Sequence, residues 1–523
     1  MAETSSNLGT ALAGAHRFEE ALLCYQRALA IKPDFFEAHN GVGNVFQAQG
    51  RFAEAAASYA RAVSLAPRNA DLWGNLASAF QGEGKVDEAI ASYRMAVELR
   101  PDFATANYNL GTALFKNGEL EEAAGRLEAA VRANPEYVLA HNNLGNAYKE
   151  LERFEEAMAC YERALALKPD SARAHYDIGC LLGDLGDCHG ALKRYEMALA
   201  IQPDDAQVQF SMGLLQVMRG EFETGWRNYE RRWHSHDHDT PERGFPQPPW
   251  AGEKLEAGRL LLWAEQGVGD EIMFAGLVAE AVRTGNDCIL DCDPRLRSMF
   301  ARSFPEVEVV SGFDATLSLE AGVAAQIPVA SLPRLFRRSE AEFGRTDSPY
   351  LFADSVQRRR LRERYTDGRP VVGVAWFTRG KKTGQVRSAG LGALEPLFGV
   401  PNVRWMSLQY GDPDVLQAEI NSVGAPVLVD RDIDQMKDMD GFAAQVAAMD
   451  LVITIDSSAA HLAGALGVRC WVMLPFAADW RWLGGRDDSP WYPGMRLFRQ
   501  RQRGEWGPVV EKVREALAEF SQS

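Results

Sequence analysis

The chain has 523 residues, of which 46% are hydrophobic and 24% are charged. That composition is ordinary for a folded globular protein, so a disordered or fibrous chain is not expected. The length predicts about three or four compact domains. With 56 Lys and Arg against 72 Asp and Glu, the formal net charge is −16, which would repel a phosphate backbone. Nucleic acid is therefore not expected as a partner.

The seven cysteines form no Cys-x-x-Cys pair, which favours reduced thiols. The first residues, MAETSSNLGTALAG, show neither a basic n-region nor an apolar h-region. No apolar run approaches the ~20 residues that a membrane helix needs. We therefore expect a cytoplasmic location, without secretion and without a membrane span.

The first half of the chain repeats with a period of 34 residues. Six prolines mark the period: Pro33, Pro67, Pro101, Pro135, Pro169 and Pro203. Ten residues after each proline comes a small residue: Gly43, Ala77, Gly111, Gly145, Gly179 or Gly213. Further along come an alanine and an aromatic residue, with Leu127 as the exception to the aromatic. Each unit predicts a helix hairpin whose two helices approach closely at the small residue.

This pattern resembles the tetratricopeptide repeat (TPR), and it runs over six units, roughly residues 2–205. A seventh, degraded unit keeps Gly213 and Tyr229 and would cap the stack. We therefore expect an all-α TPR solenoid over residues 1–239.

Four asparagines fall at equivalent positions early in the first helix of their repeats: Asn7, Asn75, Asn109 and Asn143. An amide offers a donor and an acceptor, so a row of asparagines on a concave face can hold the backbone of an extended peptide. The alternative is that Asn is simply common at this repeat position. A protein or peptide partner on the concave face is expected in either case.

After Trp233 the repeats give way to a Pro-, Gly- and charge-rich segment, which predicts a linker over residues 240–258. His234, His236 and His238 alternate with Ser and Asp just before it, and such a run could hold a transition metal. A solvated linker explains them as well, since no cysteine or fixed-spacing fourth ligand accompanies them. No metal site is predicted.

From Arg259 onward, short apolar runs alternate with helical stretches, which is typical of parallel α/β sheets. One series begins at RLLLW, and a second begins at VVGVAW and continues through VRWMSLQ, PVLVD, DLVITID and CWVMLPF. These predict two Rossmann-like domains, residues 259–350 and 369–523, joined by a linker over 351–368. Ligands of such sheets bind at the carboxyl ends of the strands, so the cleft between the domains is the expected site.

Two strand-to-helix turns carry candidate chemistry. In the first, Gly267, Gly269 and Asp270 follow a strand directly, and backbone N–H groups there can hold an anion. The turn does not match the dinucleotide-binding motif Gly-x-Gly-x-x-Gly, because the third glycine would fall at position 272, which is Ile272. Asp270 could be a helix cap or a catalytic base, and both interpretations stay open.

The second turn, in VITIDSSAAHLAGALG, brings Asp456, Ser457 and Ser458 to a helix N-terminus, where free N–H groups and hydroxyls suit a diphosphate. His461 lies one turn into that helix and could donate to a phosphate or sugar oxygen, although a lone helical His is often structural.

A basic loop follows the first strand of the second domain and carries Arg379, Lys381, Lys382 and Arg387. These cations could neutralise a diphosphate leaving group, or they could be a solvated surface loop. Near the end of the chain, four aromatic residues could line a sugar pocket or pin a loop to the core: Trp480, Trp482, Trp491 and Tyr492.

Together these motifs resemble the heptosyltransferase-type, glycosyltransferase family 9-like enzymes of the GT-B fold. The resemblance covers residues 259 to about 500 and rests on the Gly-Asp turn, the basic loop and the D-[ST]-x-x-x-H-L-x-x-A-L-G sequence. It implies that Asp270 is the base that activates the acceptor hydroxyl. It also implies the residues that hold the diphosphate of the nucleotide sugar: Lys382, Arg387, Asp456, Ser457, Ser458 and His461. We further expect Gly267, Gly269, Lys381 and Gln409 to bind substrate. Where the family often has Lys followed by Trp-Pro, this chain has RSAG, so a neighbouring lysine could replace Arg387.

A TPR array joined to a GT-B domain is similar in architecture to the protein O-GlcNAc transferases, although their catalytic motifs are not found here. We expect an inverting, metal-independent glycosyltransferase that uses a nucleotide-diphosphate sugar as co-substrate, has no further cofactor, and modifies a protein docked on the repeats. The alternative is a TPR scaffold whose GT-B domain binds a ligand or partner without catalysis.

Overall fold

The computed structural model describes residues 1–236, 240–345, 348–378 and 384–522. The chain divides into two compact units. The first comprises Met1–Leu182 with His189–Pro203, and the second comprises Gly183–Cys188 with Asp204–Ser523.

The first unit, all of whose residues are described, consists of helix hairpins. The helices are α1 (Ala2–Gly14), α2 (Phe18–Ile31), α3 (Phe36–Ala48), α4 (Phe52–Leu65), α5 (Ala70–Gly82), α6 (Val86–Leu99), α7 (Ala104–Lys116), α8 (Leu120–Ala133), α9 (Val138–Glu150), α10 (Phe154–Leu167), α11 (Ala172–Asp184) and α12 (Cys188–Ile201). The first helices of successive hairpins begin 34 residues apart, which confirms the predicted period and the helical solenoid. Each proline of the sequence pattern follows the end of a second helix, where it prevents the helix from continuing.

The small residues of the repeat lie where the two helices of a hairpin touch, as predicted. A Cβ added at Gly43 would lie 2.5 Å from Cε1 of Tyr59, and one at Gly111 would lie 2.6 Å from Cγ of Leu127. Tyr59 and Leu127 are themselves buried. Larger side chains at the glycine positions would push the helices apart, which explains the alternation of small and bulky residues.

A seventh hairpin opens the main part of the second unit. It consists of α13 (Ala206–Met218) and α14 (Phe222–Tyr229), followed by a 3-10 helix over Glu230–His234. Trp226 is 1% exposed, and its indole N–H donates to the carbonyl of Arg337 at 2.8 Å. The sequence groups this hairpin with the repeats, whereas its contacts group it with the α/β region.

The first sheet has the strands β1 (Arg259–Trp263), β2 (Cys288–Asp291), β3 (Glu308–Val310) and β4 (Val323–Pro328). Its order is β3-β2-β1-β4 and all pairs are parallel, with Leu262 opposite Leu290. Its helices are α15 (Val268–Ala275), α16 (Val278–Arg283), α17 (Arg297–Ser303), α18 (Ala315–Glu320) and α19 (Pro333–Phe336). The predicted linker 240–258 packs on this sheet, since Trp250 is fully buried and donates its backbone N–H to Gln326.

The second sheet has the strands β5 (Val371–Val374), β6 (Arg404–Ser407), β7 (Val427–Leu428), β8 (Leu451–Ile455), β9 (Cys470–Leu474), β10 (Asp488–Ser489) and β11 (Tyr492–Arg499). Its order is β10-β11-β9-β8-β5-β6-β7, and only the pair of β10 and β11 is antiparallel among the described residues. The remaining helices are α20 (Ser355–Tyr365), α21 (Gly384–Arg387), α22 (Glu395–Phe398), α23 (Pro413–Ser422), α24 (Met439–Ala447), α25 (Ser458–Ala465) and α26 (Gly507–Phe520). Helix α20 lies within the segment predicted as an interdomain linker.

The predicted strands are all present, and the C-terminal region is an α/β structure with mixed, mainly parallel sheets. The sequence did not indicate β4, an edge strand, or the two-residue β10, or β11, whose Pro493 and Gly494 are unusual in a strand. All seven cysteines are free thiols. Among the described helices, none combines the length and the apolar character required to cross a bilayer.

Candidate functional site

The Gly-Asp turn leads from β1 into α15. Gly267 is the residue before the first turn of the helix, and its backbone is extended, with φ −98° and ψ 164°. Asp270 lies in that first turn, where the helix dipole favours a negative charge. Its carboxylate does not cap the helix but turns toward another loop. The structure therefore disfavours a capping role for the Asp270 side chain.

The second turn leads from β8 into α25, which begins at Ser458. Ser457 is the N-cap residue with an extended backbone, and among the described residues no side chain caps the helix. The hydroxyl of Ser457 instead lies 3.1 Å from that of Thr454. Ser457 and Ser458 are half-buried, so uncapped backbone N–H groups and two hydroxyls share this helix start.

The starts of α15 and α25 touch each other. A Cβ added at Gly269 would lie 3.4 Å from Cδ2 of His461 and 3.7 Å from Cα of Ser458. A side chain at position 269 would therefore occupy the space between the two helices. The two motifs, almost 200 residues apart in the chain, form one location.

Arg481 links the two motifs by charge. Its Nε donates to Oδ1 of Asp270 at 2.8 Å, and its Nη2 donates to the same oxygen. Its Nη1 also donates to Oδ1 of Asp479 at 2.7 Å. The guanidinium thus bridges two carboxylates, one from each of the two sheet regions.

Arg387 extends this network to the turn before α25. Its Nε lies 3.4 Å from Oδ2 of Asp456, and its Nη2 lies 3.5 Å from Oδ2 of Asp479. Three carboxylates and two guanidinium groups therefore alternate, and with all of them ionised the network carries one net negative charge. Arg387 thus forms ion pairs with carboxylates next to Ser457 and Ser458, where the diphosphate is predicted to bind.

Burial and neighbouring charges shift the pKa values in opposite directions within the network. Burial raises the pKa of the Asp456 carboxyl despite the nearby Arg387. Burial would also raise the pKa of the Asp479 carboxyl, but Arg481 and Arg387 together hold it below its usual value. Of these two carboxyls, Asp456 is therefore the one that accepts a proton more readily.

His461 is a neutral imidazole in this environment. It is 5% exposed, and burial, with a smaller contribution from Arg481, lowers its pKa to about 3. Its Nδ1 lies 3.0 Å from the hydroxyl of Tyr492, and its ring stacks on Trp482 at 5.1 Å between centroids. At neutral pH His461 can contribute a hydrogen bond to a ligand but no positive charge.

The remaining predicted donor-site residues are distributed differently. Lys381, Lys382 and Arg379 lie outside the described residues, as does His238 of the histidine run. Gln409 is 1% exposed, and its amide accepts from the backbone N–H groups of Trp376 and Phe377 at 3.0 and 2.9 Å. What the structure shows for Gln409 is an anchor for the loop after β5, and its contact with substrate stays a prediction.

The aromatic residues near the chain end pin their loop to the core. Trp480, Trp482, Trp491 and Tyr492 are at most 7% exposed. Trp480 contacts Trp226 of the seventh hairpin, with ring centroids 5.6 Å apart. This confirms the packing interpretation over an open sugar pocket.

The four asparagines predicted to form a ladder occupy the sixth residue of α1, α5, α7 and α9. Asn7 is exposed and the other three are half-buried. Asn75 donates to Oδ1 of Asn40 at 2.9 Å, and Asn143 donates to the hydroxyl of Thr112 at 3.0 Å. Some of their hydrogen-bonding capacity therefore links neighbouring hairpins, and peptide binding by this row stays a prediction.

Several residues of the site were not among the predicted site residues. Asp479 and Arg481 belong to this group, and so does Glu271, which follows Asp270 in the chain, is buried, and accepts from the backbone N–H of Asp293 at 2.9 Å. Burial, together with the nearby Asp293 and Asp291, raises the pKa of Glu271 to about 7. Two sequence signals were available. One is the charged residue directly after the Gly-Asp pair, and the other is the acidic-aromatic-basic run Asp479-Trp480-Arg481.

Comparison with known proteins identifies the repeats. Models described as tetratricopeptide or TPR repeats match residues 16–50, 43–84, 82–118, 108–172 and 144–231. The N-terminal helical hairpins are thus TPR repeats, and peptides or proteins are the partners that such repeats imply.

Among curated proteins, the chain is 32% identical over 326 residues to Protein FlbA of Caulobacter vibrioides, a match that covers 58% of this chain and 54% of FlbA. The chain thus spans about half the length of this relative. Residues 1–234 make up less than half of the chain, so the match includes C-terminal residues.

Two solved structures are similar to the repeat region. The structure of YrrB, described as a TPR protein with an unusual peptide-binding site, is 26% identical with a TM-score of 0.31, covering 33% of this chain and 90% of YrrB. The structure of MamA is 28% identical with a TM-score of 0.30, covering 32% of this chain and 96% of MamA.

Proposed function

We propose that the C-terminal unit is a glycosyltransferase that moves a sugar from a nucleotide-diphosphate donor to an acceptor, and that the TPR repeats dock a protein acceptor. The observation that carries the proposal is the contact between the starts of α15 and α25 at Gly269 and His461. A carboxylate for the acceptor and an amide-rich helix start for the donor thereby lie side by side.

In the proposed reaction, Asp270 takes the proton from the acceptor hydroxyl while the acceptor oxygen bonds to the anomeric carbon of the donor. The bond from that carbon to the diphosphate breaks, and the configuration inverts. The N–H groups and hydroxyls at the start of α25 stabilise the negative charge that grows on the departing diphosphate. Asp270 retains 17% side-chain exposure, so an acceptor can approach it.

The charge of the site sets a condition on donor binding. The network of Asp270, Asp479, Asp456, Arg387 and Arg481 carries one net negative charge, and a diphosphate adds more. Additional positive charge or a proton is therefore required. Lys381 and Lys382 of the basic loop are proposed to supply the charge, and Asp456, whose pKa burial raises, is the group that can take up a proton.

The alternative function is a TPR scaffold whose α/β region binds a ligand without transfer. It is favoured by one contact: the Asp270 carboxylate, which would accept the proton, already accepts two hydrogen bonds from Arg481 on Oδ1. A carboxylate held in this way is less available as a base, unless the guanidinium moves to the diphosphate when the donor binds.

The experiment is a screen of nucleotide-diphosphate sugars for thermal stabilisation of the full chain, followed by sugar transfer to candidate proteins with a donor that binds. We expect Asp270→Asn to reduce kcat by about 100-fold or more, because general base catalysis contributes that much. Donor binding should not weaken, since the change removes a negative charge from the site. Asp287→Asn, an exposed carboxylate of the same sheet region, is the matched control. Transfer by Asp270→Asn at the parent rate would disprove the base assignment, and donor binding without any transfer would favour the scaffold.

A further inference from the structure

Tyr229, at the end of the seventh hairpin, differs from the tyrosines at the same position of earlier hairpins. In four of the six preceding hairpins the hydroxyl contacts the side chain 15 residues earlier: Tyr25 with Thr10, Tyr59 with Asn44, Tyr161 with Asn146 and Tyr195 with Cys180. The residue 15 positions before Tyr229 is Leu214, which has no polar group. The Tyr229 hydroxyl is therefore not held within its own hairpin by this contact.

The hydroxyl of Tyr229 instead binds the loop that precedes α15. The side-chain N–H of Gln266 donates to it at 2.6 Å, and Tyr229 is 2% exposed. Gln266 has φ +68°, in the left-handed region that residues other than glycine rarely adopt. Its backbone N–H donates to the hydroxyl of Thr240 at 3.1 Å. This conformation is strained, so it depends on such contacts to persist.

The residue before Gln266 is held by the same hairpin. Glu265 is 2% exposed, and its carboxylate accepts from Nε and Nη2 of Arg232 at 3.0 and 2.5 Å. Arg232 is fully buried and also donates to the hydroxyl of Ser331 at 2.8 Å. Two consecutive loop residues are thus fixed from the end of the last hairpin, directly before Gly267.

Tyr229 also contacts the loop that supplies Arg481. Its ring centroid lies 5.6 Å from that of Trp480, and Trp480 is the neighbour of Arg481 in the chain. The loop before Asp270 and the loop that carries its ion-pair partner therefore both rest on one side chain.

We propose that Tyr229 is a positioning residue for Asp270. Through Gln266 it keeps the loop before α15 in its strained conformation, and through Trp480 it supports the loop of Arg481, so that the Asp270 carboxylate has one fixed orientation. The last TPR hairpin would then be a working part of the transferase rather than only a cap of the repeats. The effect on catalysis rests on the proposed function, whereas the fixing of the loop before α15 by Tyr229 does not.

The test uses the full chain with Tyr229→Phe, which removes one oxygen atom and keeps the buried ring. Tyr161→Phe is the matched control, because it deletes the same hydroxyl in a hairpin of the first unit. Amide hydrogen exchange over residues 264–272 should become roughly three- to tenfold faster in Tyr229→Phe, as expected for the loss of one buried hydrogen bond, and should not change in Tyr161→Phe. Unchanged exchange in Tyr229→Phe would overturn the proposal whether or not the protein transfers sugar.

With a donor identified, Tyr229→Phe should lower kcat by about tenfold and leave the KM of the nucleotide sugar within about twofold, since only the orientation of the base is disturbed. Gln266→Met should give the same loss, and the double variant should lose no more than either single variant, because both changes remove the same hydrogen bond. Faster exchange with an unchanged kcat would overturn the catalytic part, and additive losses would overturn the route through Gln266. A parent protein that transfers no sugar would refute the proposed function, while the exchange result would still decide the structural part.

Discussion

Arg481 donates from both Nε and Nη2 to one carboxylate oxygen of Asp270, although the two residues lie 211 positions apart in the chain. The side chains are 15% and 17% exposed, so the ion pair is mostly withdrawn from water. Arg481 also holds Asp479, which leaves two carboxylates dependent on one guanidinium. This contact joins the two halves of the proposed site.

Removing Arg481 should therefore destabilise the protein. We expect Arg481→Met to lower the free energy of unfolding by about 3 kcal/mol, because it leaves partly buried carboxylates without their partner. The double variant Arg481→Met/Asp270→Asn should lose about 1 to 3 kcal/mol less than the sum of the two single variants. Denaturant unfolding measures these differences. Arg486→Met is the control, because Arg486 lies in the same loop but pairs with the exposed Asp488, and it should cost no more than about 1 kcal/mol. Losses from Arg481→Met and Asp270→Asn that simply add in the double variant would contradict an energetic coupling between the two residues.

Glu271 should make the stability depend on pH. Its pKa is about 7 in the folded protein against a usual value of 4.5, so the folded state binds a proton more tightly than the unfolded state. The stability from this proton is fully present below about pH 4.5 and is lost as the pH rises through 7.

Glu271→Gln imitates the protonated form and should be insensitive to this change. Relative to the parent, the variant should gain about 3 kcal/mol between pH 4.5 and pH 8, as measured by denaturant unfolding at each pH. The exposed Glu256→Gln variant is the control and should show no such gain. A difference between Glu271→Gln and the parent that stays constant with pH would refute the shifted pKa.

The unit boundary predicts the outcome of truncation. Residues 204–523 retain the seventh hairpin, whose Trp226 packs against Trp480 and Trp491, with ring centroids 5.6 and 6.4 Å apart. A fragment that starts at 204 should therefore unfold cooperatively, as measured by circular dichroism on heating. A fragment that starts at 235 lacks Trp226, Tyr229 and Arg232, exposes their partners, and should lose the cooperative transition or aggregate. Equal stability of the two fragments would show that the hairpin is dispensable for the α/β region.

Two glycines test the packing of the repeats. At Gly43 an added Cβ would lie 2.5 Å from the ring of Tyr59, whereas at Gly125 it would have no neighbour within 4 Å. Both residues lie within helices. Gly43→Ala should lower the free energy of unfolding by about 1 to 3 kcal/mol through overpacking, and Gly125→Ala should raise it by about 0.5 to 1 kcal/mol. The same sign for both variants in denaturant unfolding would contradict this account.

Much of the fold could be predicted from local patterns in the sequence. The 34-residue period determines the helix starts in the first half, because prolines end helices and small residues allow close packing. The strand-to-helix turns at Gly267 and Ser457 were also predictable from the local sequence, because an apolar run followed by small or polar residues marks the end of a buried strand.

Contacts between distant segments were not predictable in this way. Nothing in the residues around Asp270 indicates that Arg481 binds it, because that contact depends on how the two sheet regions pack. The role of Tyr229 was hidden for a related reason: the repeat pattern assigns it to a hairpin, and only the replacement of a polar partner by Leu214 distinguishes it. The depressed pKa of His461 likewise arises from burial under Trp482 and Tyr492, which motif matching cannot reveal.

The proposed site places the donor at the starts of α15 and α25, and amide hydrogen exchange with a saturating nucleotide-diphosphate sugar tests this placement. We expect slower exchange in the bound protein at residues 268–271 and 457–460 together. The protection at 457–460 should be weakened by Ser458→Ala and unaffected by Ser422→Ala, a change at an exposed residue. At the amino ends of strands β5, β8 and β9 lies a groove of about 730 Å³ lined by residues that include Arg362, Asp450 and Arg469. Protection confined to that groove, or no protection with any donor, would show that the donor does not bind at the starts of α15 and α25.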